Sequence, residues 1–330
     1  MRLSCRHIAP SLWLLSVLLL SAPAVRAGSP PEFITTLEAE HPLAGKIWLP
    51  AQRVFISADE LVRRIAAAET VILGETHDNP DHHTLQAWIL RHLIAAGRKP
   101  AVAFEMLDSS QRPALEKHLR DRPDDDVGLG AAVEWNKTGW PDWALYRPIA
   151  DAAMSARLPL LAANLSKEDT RQIAKGAVPP SLAQTLDLER PLDPGLRQAM
   201  EADIRSSHCH MLPDKALPAM VRVQRARDAI MARTLADGLA DHDSALLIAG
   251  AGHARADRGV PAHLASMTRN RRIFSMAFLE VQADRPGPGA YAETFEADRL
   301  PFDAVWFTPR NQREDQCEAF RQHLEKKRGK

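Results

Sequence analysis

Three apolar runs in this chain each end in an acid or a histidine, where a strand would hand over to a loop. Val71-Ile72-Leu73 leads into Gly74-Glu75-Thr76-His77-Asp78. Ala101-Val102-Ala103-Phe104 leads into Glu105, and Ala245-Leu246-Leu247-Ile248-Ala249 leads into Gly250-Ala251-Gly252-His253. The runs at 71–73 and 245–249 are apolar throughout, as strands buried on both faces are. Further strand-like segments fall at 158–163, 272–280 and 304–307, with helical segments between them. This alternation predicts βαβ units and an α/β fold: a mostly parallel sheet flanked by helices. In such a sheet the carboxyl ends of parallel strands face one crevice. Glu75, His77, Glu105 and His253 would then meet there, although they are far apart in the chain.

The N-terminal segment reads as a secretory signal. Arg2 and Arg6 precede the apolar stretch Leu12–Leu20, and Val25-Arg26-Ala27 offers a cleavage site. The alternative, an uncleaved anchor, is disfavoured because the stretch is shorter than the ~20 residues a spanning helix needs. No Cys follows it where lipid attachment would require one. The expected location is therefore periplasmic or secreted, without a lipid anchor. Loss of residues 1–27 removes three arginines and no acid, leaving 39 basic against 42 acidic residues. That balance gives no field directed at nucleic acid. Residues 28–50 read as a lead-in, 51–310 as one domain with a helical insertion at about 166–220, and 311–330 as a charged tail. Cys209 and Cys317 remain after cleavage and could pair in an oxidising compartment. C-x-x-C-H is absent, which excludes covalent c-type haem attachment.

The segment Gly74–His83 carries the densest chemistry. Asp78 or Asn79 can cap a helix that has Pro80 in its first turn. His82 and His83 would fall among that turn's free N–H groups, which favour an anionic guest. His77 and a following histidine could ligate a metal or haem, or act as acid and base; a capped turn with exposed histidines is the plainer alternative. Glu105, at an apolar strand end, needs a partner such as His77 or Arg227, since a buried unpaired carboxylate is costly. His208-Cys209-His210-Met211 packs soft and borderline donors into four residues. Gln224, Arg227, Asp228 and Met231 share helical spacing, and Arg227 and Asp228 could reach the crevice. Trp135, Trp140, Trp143 and Tyr146 could pack on a planar ligand, although core packing is the more usual role.

Taken together, Ile72–His83, Phe104-Glu105-Met106, Gln111, Tyr146-Arg147-Pro148-Ile149, Ala163-Asn164-Leu165, Arg227–Ala232 and Ile248–His253 resemble the ChaN-like haem-binding uptake family. That family lies in the Tiki/TraB/erythromycin-esterase-like superfamily. The resemblance spans roughly residues 54 to 280. It implies an α/β fold with a helical insertion, export or membrane attachment, and haem held at a dimer interface by Tyr or His. Only Tyr146 and Tyr291 are available as tyrosines.

Two functions follow as expectations. The first is haem binding in iron uptake, with Tyr146, His208, His210 and Met211 as candidate ligands. Arg147 and Arg255 would be the cations for the propionates, and an outer- or inner-membrane transporter and a homodimer would be partners. The second is hydrolysis, which the wider superfamily suggests. His77 or His253 would be the base, with Glu75 and Glu105 orienting it or sharing protons. In a variant of this reading a divalent metal sits on His77, Glu105 and His253. No G-x-S-x-G element is present, so water would be the nucleophile.

Overall fold

The computed structural model describes residues 28–268, 271–315, 317–318, 320–322 and 325. The expected signal peptide lies outside the described residues, as does much of the charged tail. Among the described residues no helix is long and apolar enough to cross a membrane.

Eight strands form one sheet: β1 (Ile47–Leu49), β2 (Val54–Ile56), β3 (Thr70–Glu75), β4 (Pro100–Asp108), β5 (Leu160–Asn164), β6 (Ser244–Gly250), β7 (Ile273–Glu280) and β8 (Ala304–Thr308). Their spatial order is β2-β1-β8-β7-β3-β6-β4-β5. Every pairing from β8 through β5 is parallel, and only the β1–β2 hairpin runs antiparallel, along the β8 edge. The α/β expectation holds, and the six expected strands are all present. The hairpin was not anticipated. Residues 47–49 lie in the segment that reads as a lead-in. Three-residue strands are too short to show a period of two, and they form because the β8 edge offers free backbone groups.

Successive residues point to opposite faces. Val71, Leu73, Leu246, Ile248, Met276 and Phe278 join one core with the helices Pro80–Ala95 and Trp143–Ser155. Ile72, Leu247, Ala249 and Ala277 join another with the helix Leu217–Asp241. That second face is rich in alanine, which lets the long helix approach closely. A Cβ on Gly238 would come within 3.0 Å of the Ala101 Cβ. The insertion is helical as expected, with segments at Lys167–Ala174, Ala183–Leu186 and Pro194–Ser207. Cys209 and Cys317 form a disulfide with Cα atoms 5.6 Å apart, which ties the end of the insertion to the C-terminal segment.

Candidate functional site: two histidine–carboxylate units at the sheet's carboxyl edge

Registration brings the expected residues together. Glu75, the last residue of β3, pairs with Gly250, the last of β6. Phe104 of β4 pairs with Ile248, so Glu105 lies one step further along the same edge. The β4–β5 register shifts between Phe104 and Asp108. Such an irregularity re-aims side chains next to a site.

The first unit is built on Glu75. Its Oε1 lies 3.0 Å from His77 Nδ1 and accepts from the Tyr146 hydroxyl at 3.1 Å. Its Oε2 lies 3.0 Å from His83 Nδ1. His83 Nδ1 also faces Gln86 Oε1 at 3.3 Å, and its Nε2 faces the His77 carbonyl at 2.9 Å. Acceptors at both nitrogens favour the doubly protonated ring. Burial alone would raise the Glu75 carboxyl, but His83 and His77 outweigh it and hold it well below the usual range. Burial would likewise lower His83, yet Glu75 raises it.

The second unit is built on His253. Its Nδ1 is 2.6 Å from Asp228 Oδ1 and its Nε2 is 3.2 Å from Glu105 Oε1. Glu105 Oε2 accepts from the Gly250 N–H at 2.8 Å. Burial opposes the charge, but Glu105 and Asp228 prevail and push His253 up to about 10. The partner of Glu105 is therefore His253 rather than Arg227. Asp228 follows from the helical spacing around 224–231, but its role as the second carboxylate on His253 came only from the fold.

The units face each other across Gly250. A Cβ there would meet His77 Nε2 at 2.9 Å and Glu105 Oε2 at 3.7 Å. Gly250→Ala is expected to displace the His77 ring and weaken ligand binding about tenfold, with the melting temperature little changed. Paired ligand titrations and melts of the two proteins measure this.

His82 is not part of the site. Its Nδ1 accepts the Thr76 N–H at 2.8 Å and its Nε2 meets Thr308 Oγ1 at 2.9 Å. It is neutral, and burial drives it down to about 3. The expected anionic guest at this turn is replaced by internal partners: Asn79 Oδ1 caps the N–H groups of Asp81 and His82. Three buried groups therefore set a pH profile. Glu105, held down to about 2 because His253 overcomes its burial, stabilises fully above its ordinary 4.5 and loses this as pH falls toward 2. His82 stabilises fully above 6.5 and loses this as pH falls toward 3. His253 stabilises fully below 6.5 and loses this as pH rises toward 10. Stability is expected to peak near pH 6.5, and denaturant midpoints across pH 3–10 check it.

A cavity of about 790 Å³ opens in front of these units. His77, Trp140, Gly250 and His253 line it, together with Met200 and Ile204 from the insertion and Phe295. The His77 ring packs on Trp140 with centroids 4.8 Å apart. Of the other expected ligand residues, Arg255 lines this cavity and the rest do not converge here. Tyr146 is fully buried beneath the site, its hydroxyl committed to Glu75. Trp135 and Tyr146 are core, so of the aromatic segment it is Trp140 that faces this space. His208 Nδ1 lies 2.7 Å from the Ile204 carbonyl, while His210 is exposed beyond the disulfide and Met211 follows it half-buried. Arg147 sits half-exposed, 3.8 Å from Asp126. Tyr291 Oη accepts from the Gln282 N–H on the far side of the sheet's other core. The wall residues Met200, Ile204 and Phe295 carry no motif and could not have been read from the sequence.

Among the described residues no group of three or more His, Cys, Asp and Glu side chains is arranged to hold a metal ion. His77, Glu105 and His253 do come together, but His253 spends both nitrogens on carboxylates and Glu105 spends both oxygens on His253 and Gly250. Of the donors expected for a divalent metal, Glu105 and His253 are thus engaged internally, and His77 keeps its Nε2.

A family profile described as haem-binding uptake, Tiki superfamily, ChaN, matches residues 61–264. The chain belongs to this ChaN family. Among solved structures it is similar to ChaN of Campylobacter jejuni, described with cofacial haem binding. Identity is 22%, the TM-score is 0.61, and the match covers 79% of this chain and 95% of that one. Weaker likenesses are to the type III effector HopBA1 (15% identity, TM-score 0.43, 77% and 93% covered) and to an erythromycin esterase, EreC (15%, 0.41, 83% and 86%). No curated protein matches the chain. The likeness to C. jejuni ChaN establishes the shared fold, and the profile establishes the ChaN family.

Proposed function

We propose that this ChaN-family chain is an exported haem-binding protein acting in haem and iron uptake, and that haem enters the cavity in front of His77. One observation carries the reading. Of His77, His82, His83 and His253 at the sheet's carboxyl edge, His77 alone keeps a ring nitrogen, Nε2, without a protein partner among the described residues, and its side chain is 32% exposed. Its Nδ1 is held by Glu75. A ligating histidine usually donates its other ring N–H to a carboxylate, which sets its tautomer and raises its basicity. The surroundings fit a planar apolar ligand: Trp140 and Phe295 supply aromatic wall, and the volume lies within the ~300–1,000 Å³ typical of ligand sites. Bound haem would supply an iron centre that the His77 Nε2 donor could hold. The chain's residues orient that donor, shield the ring and exclude water.

A saturable Soret shift on titration with hemin is the expected result, and a linear, non-saturating response would sink the reading. Export predicts a mature N-terminus at Gly28, which sequencing of the secreted fraction tests. A membrane transporter exchanges haem with the protein in this reading. A homodimer would close the open side of the cavity, measurable as a hemin-dependent change in hydrodynamic size.

A second reading is favoured by the same opposition of His77 to the Glu105–His253 unit. Glu75 orients His77 as a base, its Nε2 can accept a proton from water, and the imidazolium of His253 beside Glu105 can return one to a leaving group. Ester or peptide turnover abolished by His77→Ala, in a protein indifferent to hemin, would establish this hydrolase.

A further inference from the structure

The two arginines expected to meet a ligand's carboxylates are both committed to acids of the protein, although Arg255 lines the main cavity. Arg255 is buried and donates to Asp203, to both oxygens of Asp257 and to the Phe295 carbonyl, at 2.7–2.8 Å. Arg147 lies beside Asp126. A different set of cations adjoins the site. A second cavity of about 300 Å³ shares Trp140 with the main one and is lined by Glu105, Asp108, Lys167, Arg171 and Arg227. Of its acids, Glu105 is engaged through both oxygens and Asp108 through one. Glu105 takes His253 and the Gly250 N–H, and Asp108 Oδ1 accepts from the Ser110 N–H at 2.8 Å. Lys167 donates to the Lys137 carbonyl at 3.0 Å, and Arg171 lies 3.3 Å from Glu168 on the surface. Arg227 differs from both: its side chain is half-buried against the cavity, and its buried Nε has no hydrogen-bond partner among the described residues. A buried cationic N–H without an acceptor is costly and calls for an absent partner. Arg227 sits on the same helix as Asp228, the residue that holds His253, so one helix serves both cavities.

We propose that this second cavity is a carboxylate-recognition subsite. Arg227, with Lys167 and Arg171 beside it, takes an acidic group of the ligand whose body fills the main cavity past Trp140. The inference rests on the haem reading above, in which that group is a propionate. Charge-assisted bonds to a planar carboxylate suit the guanidinium fork.

The test compares hemin with hemin dimethyl ester, whose propionates are uncharged, by Soret titration of the wild-type protein, Arg227→Gln and Arg227→Lys. Wild type is expected to favour hemin over the diester about tenfold or more. Arg227→Gln is expected to lose that preference while keeping its affinity for the diester, and Arg227→Lys to retain part of it. Equal wild-type affinity for the two compounds overturns the subsite, as does an undiminished preference in Arg227→Gln. Should Arg227→Gln fail to fold, the lysine variant decides, and an unchanged preference there overturns the subsite. If neither compound binds wild type, the haem reading falls. The subsite is then read by titrating succinate against the Arg227 Nε–H resonance, where a saturable shift supports it and none overturns it.

Discussion

His253→Ala is expected to destabilise the protein by about 3–5 kcal/mol, the usual consequence of removing one member of a buried ion pair. The imidazolium lies between two buried carboxylates, Asp228 at 2.6 Å and Glu105 at 3.2 Å. Without it both acids face each other's field in a site that water reaches poorly, and one must take up a proton. The loss should appear as a lower denaturant midpoint at unchanged slope. It should shrink at acid pH, where protonation relieves the uncompensated carboxylates. Adding Glu105→Gln to His253→Ala should cost less than the two single changes together, because each removes the same interaction. A change below about 1 kcal/mol at pH 7 would show that His253 is not charged in the folded protein.

His77→Ala is the second large effect. Hemin affinity is expected to fall by about 100-fold or more, with stability close to wild type, because His77 is partly exposed and its Nε2 has no partner among the described residues. Glu75→Gln should weaken binding about 10–100-fold through loss of the carboxylate that orients the ring. It should also destabilise the fold, since it leaves the buried His83 cation without its anion. Midpoint and affinity therefore separate in one variant and move together in the other. Unaltered hemin affinity in His77→Ala would relocate haem to another surface, and would leave the strand-end cluster to the acid–base reading.

Much of this was legible beforehand because parallel sheets impose strong rules on sequence. Fully apolar runs marked β3 and β6 as central, and the acid or histidine after each run marked the carboxyl edge. Glu75, His77, Glu105 and His253 meet there as expected. The ligand set drawn from soft donors did not survive in the same way. Tyr146 looked available because nothing in a sequence shows that a hydroxyl is committed to a carboxylate 71 positions away. Exposure of His82 and His83 in a capped first turn is the plainer alternative on sequence, yet this helix is buried between the sheet and the helix Trp143–Ser155. Arg255 looked free until Asp203 and Asp257 were found beside it.

The order of residues alone settled the fold class, the family and the edge at which chemistry gathers, because hydrophobic periodicity and strand-end punctuation are local properties of the chain. Tertiary structure decided the pairing: His253 with Asp228 and Glu105, His83 with Glu75, and His77 left with one nitrogen facing the cavity. Protonation and availability depend on which charges lie within a few ångströms in a dry interior, and that proximity comes into being only when distant segments pack.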